Sequence, residues 1–378
     1  MKKILFISHD ASQTGAPILL LQLIKWLVQN KKKEFEICLL LGKGGPLENE
    51  FLKLIPTVVL FKNKKKNIVQ KGIQKIFIQN PLKHFKNKQW DLVFSNTIVN
   101  GKILEQLDLK NTATISYIHE LEYSIQEFLQ LGLAQGTFDC TNLFLCGSKL
   151  VQETLINNFN VKEDMTQVVY SFQDIEALEK EPKLSLQLKK ALEIPLDAKI
   201  VAMAGSFIWR KGFDFFVNTA TLLQNENIYF IWIGFNNKRE LNKITYDLNR
   251  KNCQPKIKYI APSPDYKKYF NCIDIFFLSS REDPYPMVML DATCYGLPIL
   301  CFKNAGGTQE FIDDKVGVVL PYGDCNEAAS IIKTMCDAND LKKNKKYIQQ
   351  KSLKIHDVNK QAPKIYHTIL EQMNTYKK

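Results

Sequence analysis

Short apolar, β-rich runs alternate along this chain with longer segments of helical period, and the series runs twice. The first series places strands at 4–8, 36–41, 58–61, 91–95, 113–118, 142–146 and 167–170, with helices clearest at 18–29, 98–107, 121–132 and 149–158. Alternation of this kind predicts a parallel sheet with crossover helices. A polar stretch at 173–183, containing Pro182, reads as a linker before a further helix. The pattern then restarts, with strands at 200–204, 228–234, 256–260, 273–278, 298–302 and 316–320 and helices at 213–223 and 238–251. A chain of 378 residues exceeds what one ordinary core fills, so two α/β Rossmann-like domains are expected, 1–172 and 173–356. Two such domains imply a cleft, and clefts between domains are favoured ligand sites.

Composition narrows the class. Apolar residues at 45% and charged residues at 24% are ordinary for a folded globular protein. No stretch approaches the roughly 18 apolar residues of a membrane-crossing helix, and the apolar run at the start stops at Ser8, too short for the core of a signal peptide. The nine cysteines are odd in number and contain no Cys-x-x-Cys pair, which argues against a disulfide framework and a zinc site and for a reducing, cytoplasmic setting. The formal charge of +12 is concentrated early: residues 1–110 carry 19 lysines against 8 acidic residues, densest from Lys62 to Lys88. That face suits either plain solvation or peripheral contact with an anionic membrane or glycan. Nucleic acid is not expected as a partner, because this region offers Phe61, Phe77, Phe85 and Trp90 but no arginine and no recognisable binding module.

Five motifs sit where ligands bind in open α/β sheets, beyond strand carboxyl ends. Gly15 and Ala16 follow the first strand and precede a helix, where a glycine and free N–H groups admit a phosphate. Gly205, Ser206, Arg210 and Lys211 follow the first strand of the second series, and two adjacent cations there can face a diphosphate. Glu282 and Asp283 precede Pro286, which suits an early helical position. Met287 and Val288 would then present backbone N–H groups, with Asp291 one turn beyond Met287 on the same face. Gly306 and Gly307 precede Thr308 in another anion-approach geometry. His119 ends a strand of the first domain, and Asn96 lies near another strand end. Each also has a plainer reading: a turn glycine, a surface cation pair, a helix cap at Asp283 with a solvated Asp291, and a structural histidine.

Taken together and in this order, the motifs resemble glycosyltransferase family 4, the retaining, group 1 transferases of GT-B fold. The family's Glu-x(7)-Glu signature falls on Asp283 and Asp291 and its Arg-Lys pair on Arg210 and Lys211. Its N-terminal glycine loop falls on Gly15 and Ala16, and its cleft histidine on His119. The resemblance spans almost the whole chain and is loosest between 45 and 110. It implies two Rossmann-like domains with parallel sheets facing across a cleft, and a C-terminal segment, 357–378, packing back onto the first domain. It implies retaining, metal-independent transfer of a hexosyl unit from a nucleoside diphosphate sugar, UDP or GDP, to a hydroxyl acceptor in surface polysaccharide or glycolipid synthesis. No cofactor is required, since the donor is a substrate.

In that scheme Arg210 and Lys211 hold the diphosphate as the glycosidic bond breaks. Asp283 binds sugar hydroxyls with Glu282 beside it, Asp291 the ribose, and the Met287 and Val288 backbone a phosphate. Ser206, Gly306 and Gly307 line the same donor site, residues around 260–263 meet the base, Gly15 and Ala16 close on the diphosphate, His119 meets the sugar near the reacting carbon, and Asn96 borders the acceptor. Both signature glutamates are aspartates here, one methylene shorter. A sugar-nucleotide epimerase shares the architecture, but it needs elimination-competent carboxylates in the first domain, and no convincing set is present. A non-catalytic sugar-nucleotide-binding protein is the third reading, disfavoured by Arg210, Lys211 and His119.

Overall fold

The computed structural model describes residues 1–61, 81–86, 88–338, 341 and 343–376. Most of the lysine-rich run lies outside them. The chain forms two compact units, one comprising Met1–Asp174 with Val358–Lys378 and the other Ile175–Asp357.

The first unit carries seven strands, β1 (Lys2–Ser8), β2 (Phe35–Lys43), β3 (Thr57–Phe61), β4 (Leu92–Asn96), β5 (Ala113–Ile118), β6 (Leu143–Cys146) and β7 (Thr166–Val168). They pair in parallel in the order β3-β2-β1-β4-β5-β6-β7. Ile4, Leu5, Phe6 and Ile7 are fully buried, as continuous apolar runs must be when helices cover both faces of a parallel sheet. The sequence order reverses at β1, between β2 and β4. The crevice beyond the carboxyl ends of β1 and β4 is therefore the expected ligand position on this sheet.

One expected helix is broken. In place of a continuous helix at 98–107, a 3-10 turn at Ile98–Asn100 leads into the short helix Gly101–Leu104. Thr97 starts this break with φ at +89°, costly for a β-branched residue, and its Oγ1 accepts from the amide of Val99 at 3.3 Å.

The helix Val358–Thr375 belongs to the first unit and packs between its pieces. Tyr366 lies against Trp26 and Phe35 and donates to Glu34 Oε2 at 2.6 Å, and Thr368 Oγ1 donates to Gln167 Oε1 at 2.9 Å. Ile365, Ile369 and Met373 are buried on the same face, each stabilising by about 1.5–3 kcal/mol relative to an exposed side chain.

The second unit carries β8 (Lys199–Ala204), β9 (Ile228–Ile233), β10 (Ile257–Ile260), β11 (Ile275–Leu278), β12 (Ile299–Phe302) and β13 (Gly317–Leu320), parallel in the order β10-β9-β8-β11-β12-β13. Its switch point lies at β8, between β9 and β11. The helix Cys325–Asp337 is capped by Asp324, whose Oδ1 accepts from the amide of Glu327 at 2.9 Å. A further helix, Lys345–His356, closes the unit. Among the described residues no helix is long and apolar enough to cross a membrane.

Candidate functional site

The loop after β8 is rigid because an aromatic residue anchors it. Phe207 is fully buried against Phe213, Trp232, Phe235 and Tyr259, and Trp232 Nε1 donates to the carbonyl of Gly205 at 3.0 Å. Such packing leaves Ser206, Ile208 and Trp209 outward. The 3-10 turn Trp209–Lys211 then swings two cations toward the end of β11, and Gly212 makes the turn into the next helix. Only glycine fits there: φ is +66°, and a Cβ would stand 1.8 Å from the carbonyl oxygen of Ser279.

Arg210, Lys211 and Asp283 meet at this switch point. Lys211 Nζ donates to Asp283 Oδ2 at 2.5 Å, Ser280 Oγ donates to the same oxygen at 3.3 Å, and Arg210 Nη1 lies 3.9 Å from Asp283 Oδ1. Arg210 also donates to the carbonyl of Glu282 at 2.6 Å, while the amides of Arg281 and Glu282 donate back to the carbonyl of Arg210. Glu282 thus meets Arg210 through its backbone. Burial lowers the Lys211 pKa; Asp283 opposes that shift and Arg210 adds to it. An ammonium held near a carboxylate and a second cation, with three donors to distribute, can serve Asp283 and a phosphate at once.

The loop holding Asp283 is fixed from β12. Its amide donates to the carbonyl of Ala305 at 2.7 Å, Asp283 bridges Gly306 as a parallel pair, and the amide of Gly307 donates to the carbonyl of Pro284 at 2.8 Å. A Cβ at Gly306 would sit 1.8 Å from the Asp283 carbonyl oxygen, so glycine permits this close approach. Thr308 Oγ1, beside it, is buried without a hydrogen-bond partner among the described residues. Pro286 caps the helix Met287–Cys294, and Met287 and Val288 are its first residues, half-buried, where N–H groups have no partner one turn back.

Asp291 departs from the solvated alternative: its side chain is 3% exposed, and two residues that sequence reasoning missed hold it. Tyr266 donates to its Oδ2, and Lys267 Nζ stands 2.8 Å from its Oδ1. Burial raises the Tyr266 pKa, with the charge of Asp291 adding to it. For Lys267 burial pulls downward, but Asp291 outweighs it and leaves the pKa raised. The only sequence signal was an aromatic and a cation just beyond β10.

In the first unit Gly15 and Ala16 lie in the first turn of the helix Gly15–Lys31 rather than in a loop before it. Asn96, at the end of β4, links this turn to His119. Its Nδ2 donates to the carbonyl of Ala16 at 2.9 Å, and its Oδ1 lies 2.9 Å from His119 Nε2. A carbonyl can only accept, so the amide orientation is fixed, and His119 Nε2 must carry the proton it donates to Asn96. The His119 lone pair therefore belongs to Nδ1. Burial, with a smaller contribution from His9, lowers its pKa to about 3, which keeps the ring neutral. His9, another residue not anticipated, lies 3.4 Å from Asp10 through Nε2, and its Nδ1 is buried without a hydrogen-bond partner among the described residues. No group of three or more metal-ligating side chains occurs among the described residues.

Residues 185–353, nearly the whole second unit, match the family model described as Glycosyl transferases group 1. Over 152 residues the chain is 25% identical to the lipopolysaccharide core biosynthesis glycosyltransferase LpsE of Rhizobium meliloti, a stretch covering 40% of this chain and 43% of that one. The chain thus spans less than half the length of that relative. A longer match, 23% identical over 87% of each chain, is to the N-acetylgalactosamine-N,N'-diacetylbacillosaminyl-diphospho-undecaprenol 4-alpha-N-acetylgalactosaminyltransferase of Campylobacter jejuni. Among solved structures, Alr3699/HepE of Anabaena in complex with UDP-glucose superposes with a TM-score of 0.80 at 18% identity, covering 98% of this chain and 100% of that one. The two parallel-sheet units are those of the GT-B fold.

Proposed function

We propose that this chain is a glycosyltransferase of the family 4 type, moving a hexosyl unit from a nucleoside diphosphate sugar to a hydroxyl acceptor with retention of configuration. The observation that carries the reading is the meeting of Arg210, Lys211 and Asp283 at the switch point of the second sheet, inside the segment that matches the group 1 family. A diphosphate placed there meets two fixed cations, and the first N–H groups of the helix Met287–Cys294 add positive dipole. Asp283 accepts from sugar hydroxyls, assisted by Glu282. Asp291, held by Tyr266 and Lys267, faces the ribose, and Ser206, Gly306 and Gly307 border the phosphates.

The bond from the anomeric carbon to the phosphate oxygen breaks as the bond to the acceptor oxygen forms on the same face. The acceptor proton passes to the leaving diphosphate, whose growing charge Arg210 and Lys211 stabilise, so the scheme calls for neither metal nor cofactor. On the first unit His119, neutral and oriented by Asn96, offers Nδ1 as an acceptor to a sugar hydroxyl. Gly15 and Ala16, in the first turn of their helix, present N–H groups suited to an anion, and Asn96 contributes to the acceptor side through the ring it holds.

UDP and GDP are the donors to test first; the UDP-glucose complex of the Anabaena protein favours UDP. The names of the Rhizobium and Campylobacter relatives support a lipopolysaccharide or lipid-linked acceptor. Together with the lysine surplus, they support a cytoplasmic protein working peripherally at an anionic membrane face. The deciding experiment is a thermal-shift panel of UDP, GDP, ADP and TDP sugars, followed by NMR assignment of the product's anomeric configuration. A ligand of the native state raises the midpoint. Conversion of donor without acceptor would point to an epimerase instead, and no response to any nucleotide sugar would end the proposal.

A further inference from the structure

A buried polar chain runs beneath the Asp283 loop and takes no part in the scheme above. Tyr285, two residues beyond Asp283, lies 2.6 Å through its hydroxyl from His356 Nε2. His356 Nδ1 lies 3.2 Å from Ser352 Oγ, Ser352 Oγ lies 2.6 Å from Thr293 Oγ1, and Thr293 Oγ1 donates to the carbonyl of Leu290 at 2.7 Å. The far end fixes the direction of every proton. A carbonyl only accepts, so the Thr293 proton is spent on Leu290 and Thr293 must accept from Ser352. Ser352 must then accept from His356 Nδ1–H, which leaves His356 Nε2 as the acceptor for the Tyr285 hydroxyl. Each hydroxyl has one proton and each is used once. His356 is fully buried, and its pKa, lowered by burial to about 3, keeps the ring neutral as this order requires.

We propose that Tyr285 and His356 are positioning residues: the ordered chain from Leu290 through Thr293, Ser352 and His356 pins the Tyr285 hydroxyl and so holds the Asp283 loop where it meets Lys211. Three elements converge on it: the loop itself, the helix Met287–Cys294 and the helix Lys345–His356. The backbone bonds from Asp283 to Ala305 and from Gly307 to Pro284 fix the β12 side of the loop. Tyr285 fixes the other side, and with both ends held the Asp283 carboxylate is presented in one place. An alternative packing of Tyr285 would leave His356 Nε2 buried without a donor, a cost that disfavours it.

The functional consequence rests on Asp283 acting in donor binding, so the test has one arm that does not. Hydrogen exchange by mass spectrometry on peptides covering residues 280–287 and 303–309 reads the Asp283 and Gly307 amides directly. Tyr285→Phe and His356→Leu should each speed exchange there about tenfold, the change expected from one lost hydrogen bond, while β8 exchanges as before. The double variant should be no worse than either single one, and His356→Gln, which keeps an acceptor for Tyr285, should restore near wild-type exchange. With a working donor, Tyr285→Phe should raise the donor KM about tenfold with kcat and acceptor KM little changed. Ile332→Val, a core change elsewhere in the unit, should lower the melting point without raising the donor KM. Unchanged exchange at these two peptides in both variants overturns the inference, whether or not the chain transfers sugar. Faster exchange with unchanged donor KM removes its functional part, and failure of the wild type to use any nucleotide sugar counts against the proposed function alone.

Discussion

Replacing Asp283 by asparagine removes one charge and keeps the shape, and it should weaken the second unit in a manner set by Lys211. The Asp283 and Lys211 side chains are 10% and 13% exposed and 2.5 Å apart. Removing one partner of a fully buried pair costs about 3–5 kcal/mol. Here some solvent reaches both groups, and asparagine still offers an oxygen to Lys211 Nζ, so the expected loss is about 1.5–3 kcal/mol, the range for a hydrogen bond to a charged group. For a unit the size of Ile175–Asp357 that lowers the midpoint by about 3–12 °C.

The pH dependence gives the sharper test. Burial lowers the Lys211 pKa from 10.5, so just below that pH the folded unit binds fewer protons than the unfolded chain and stability rises with pH. The charge of Asp283 opposes the shift, and its loss extends the window downward. The deficit of Asp283→Asn measured by urea unfolding at about pH 7 should therefore narrow at about pH 9.5, as the unpaired ammonium gives up its proton. A variant that unfolds with the wild type at pH 7, or whose deficit is the same at both pH values, would refute the reasoning.

Arg210→Ala should lower kcat for transfer by about 10²–10³ with a midpoint close to wild type, because the guanidinium is 30% exposed; undiminished transfer in a working assay would remove Arg210 from the donor site. His119 and His356 both have pKa values lowered to about 3, so the unfolded chain takes up protons that the folded units refuse. Stability should fall as pH drops from about 6.5 toward 3, by about 1.4 kcal/mol per pH unit for each histidine. Urea midpoints at a series of pH values should show a shallower acid slope for the second unit of His356→Gln, and equal slopes would contradict it.

Strands and their carboxyl ends were legible in the sequence because a parallel sheet buried on both faces needs uninterrupted apolar runs, as at Ile4 to Ile7 and Ile275–Leu278. Once strand order is known, loops after β8, β11 and β12 fall together, and this brings Arg210 and Lys211 to Asp283. Side-chain partners were not legible. Asp291 was expected to face a ligand, with a solvated helix position as the plainer reading, and neither reading foresaw that β10 and the segment after it deliver Tyr266 and Lys267 to its carboxylate. The tie between Tyr285 and His356 spans 71 residues with no local signature. The expected helix at 98–107 failed for a related reason. Thr97 adopts a positive φ that propensity disfavours, and the chain at Gly101 is pinned by its amide donating to the carbonyl of Leu133.

The first unit is completed by residues made after the second unit. Tyr366 packs against Trp26 and Phe35, with Ile369 and Met373 buried on the same helix, so while the chain is being synthesised that face stays open through the whole production of the second unit. The second unit is continuous in sequence, and all of its strands are available before the helix Val358–Thr375 has been made. Order of synthesis and order of completion are thus reversed: the unit begun first is finished second, and until then Trp26 and Phe35 present apolar surface that a chaperone or a neighbouring chain can bind.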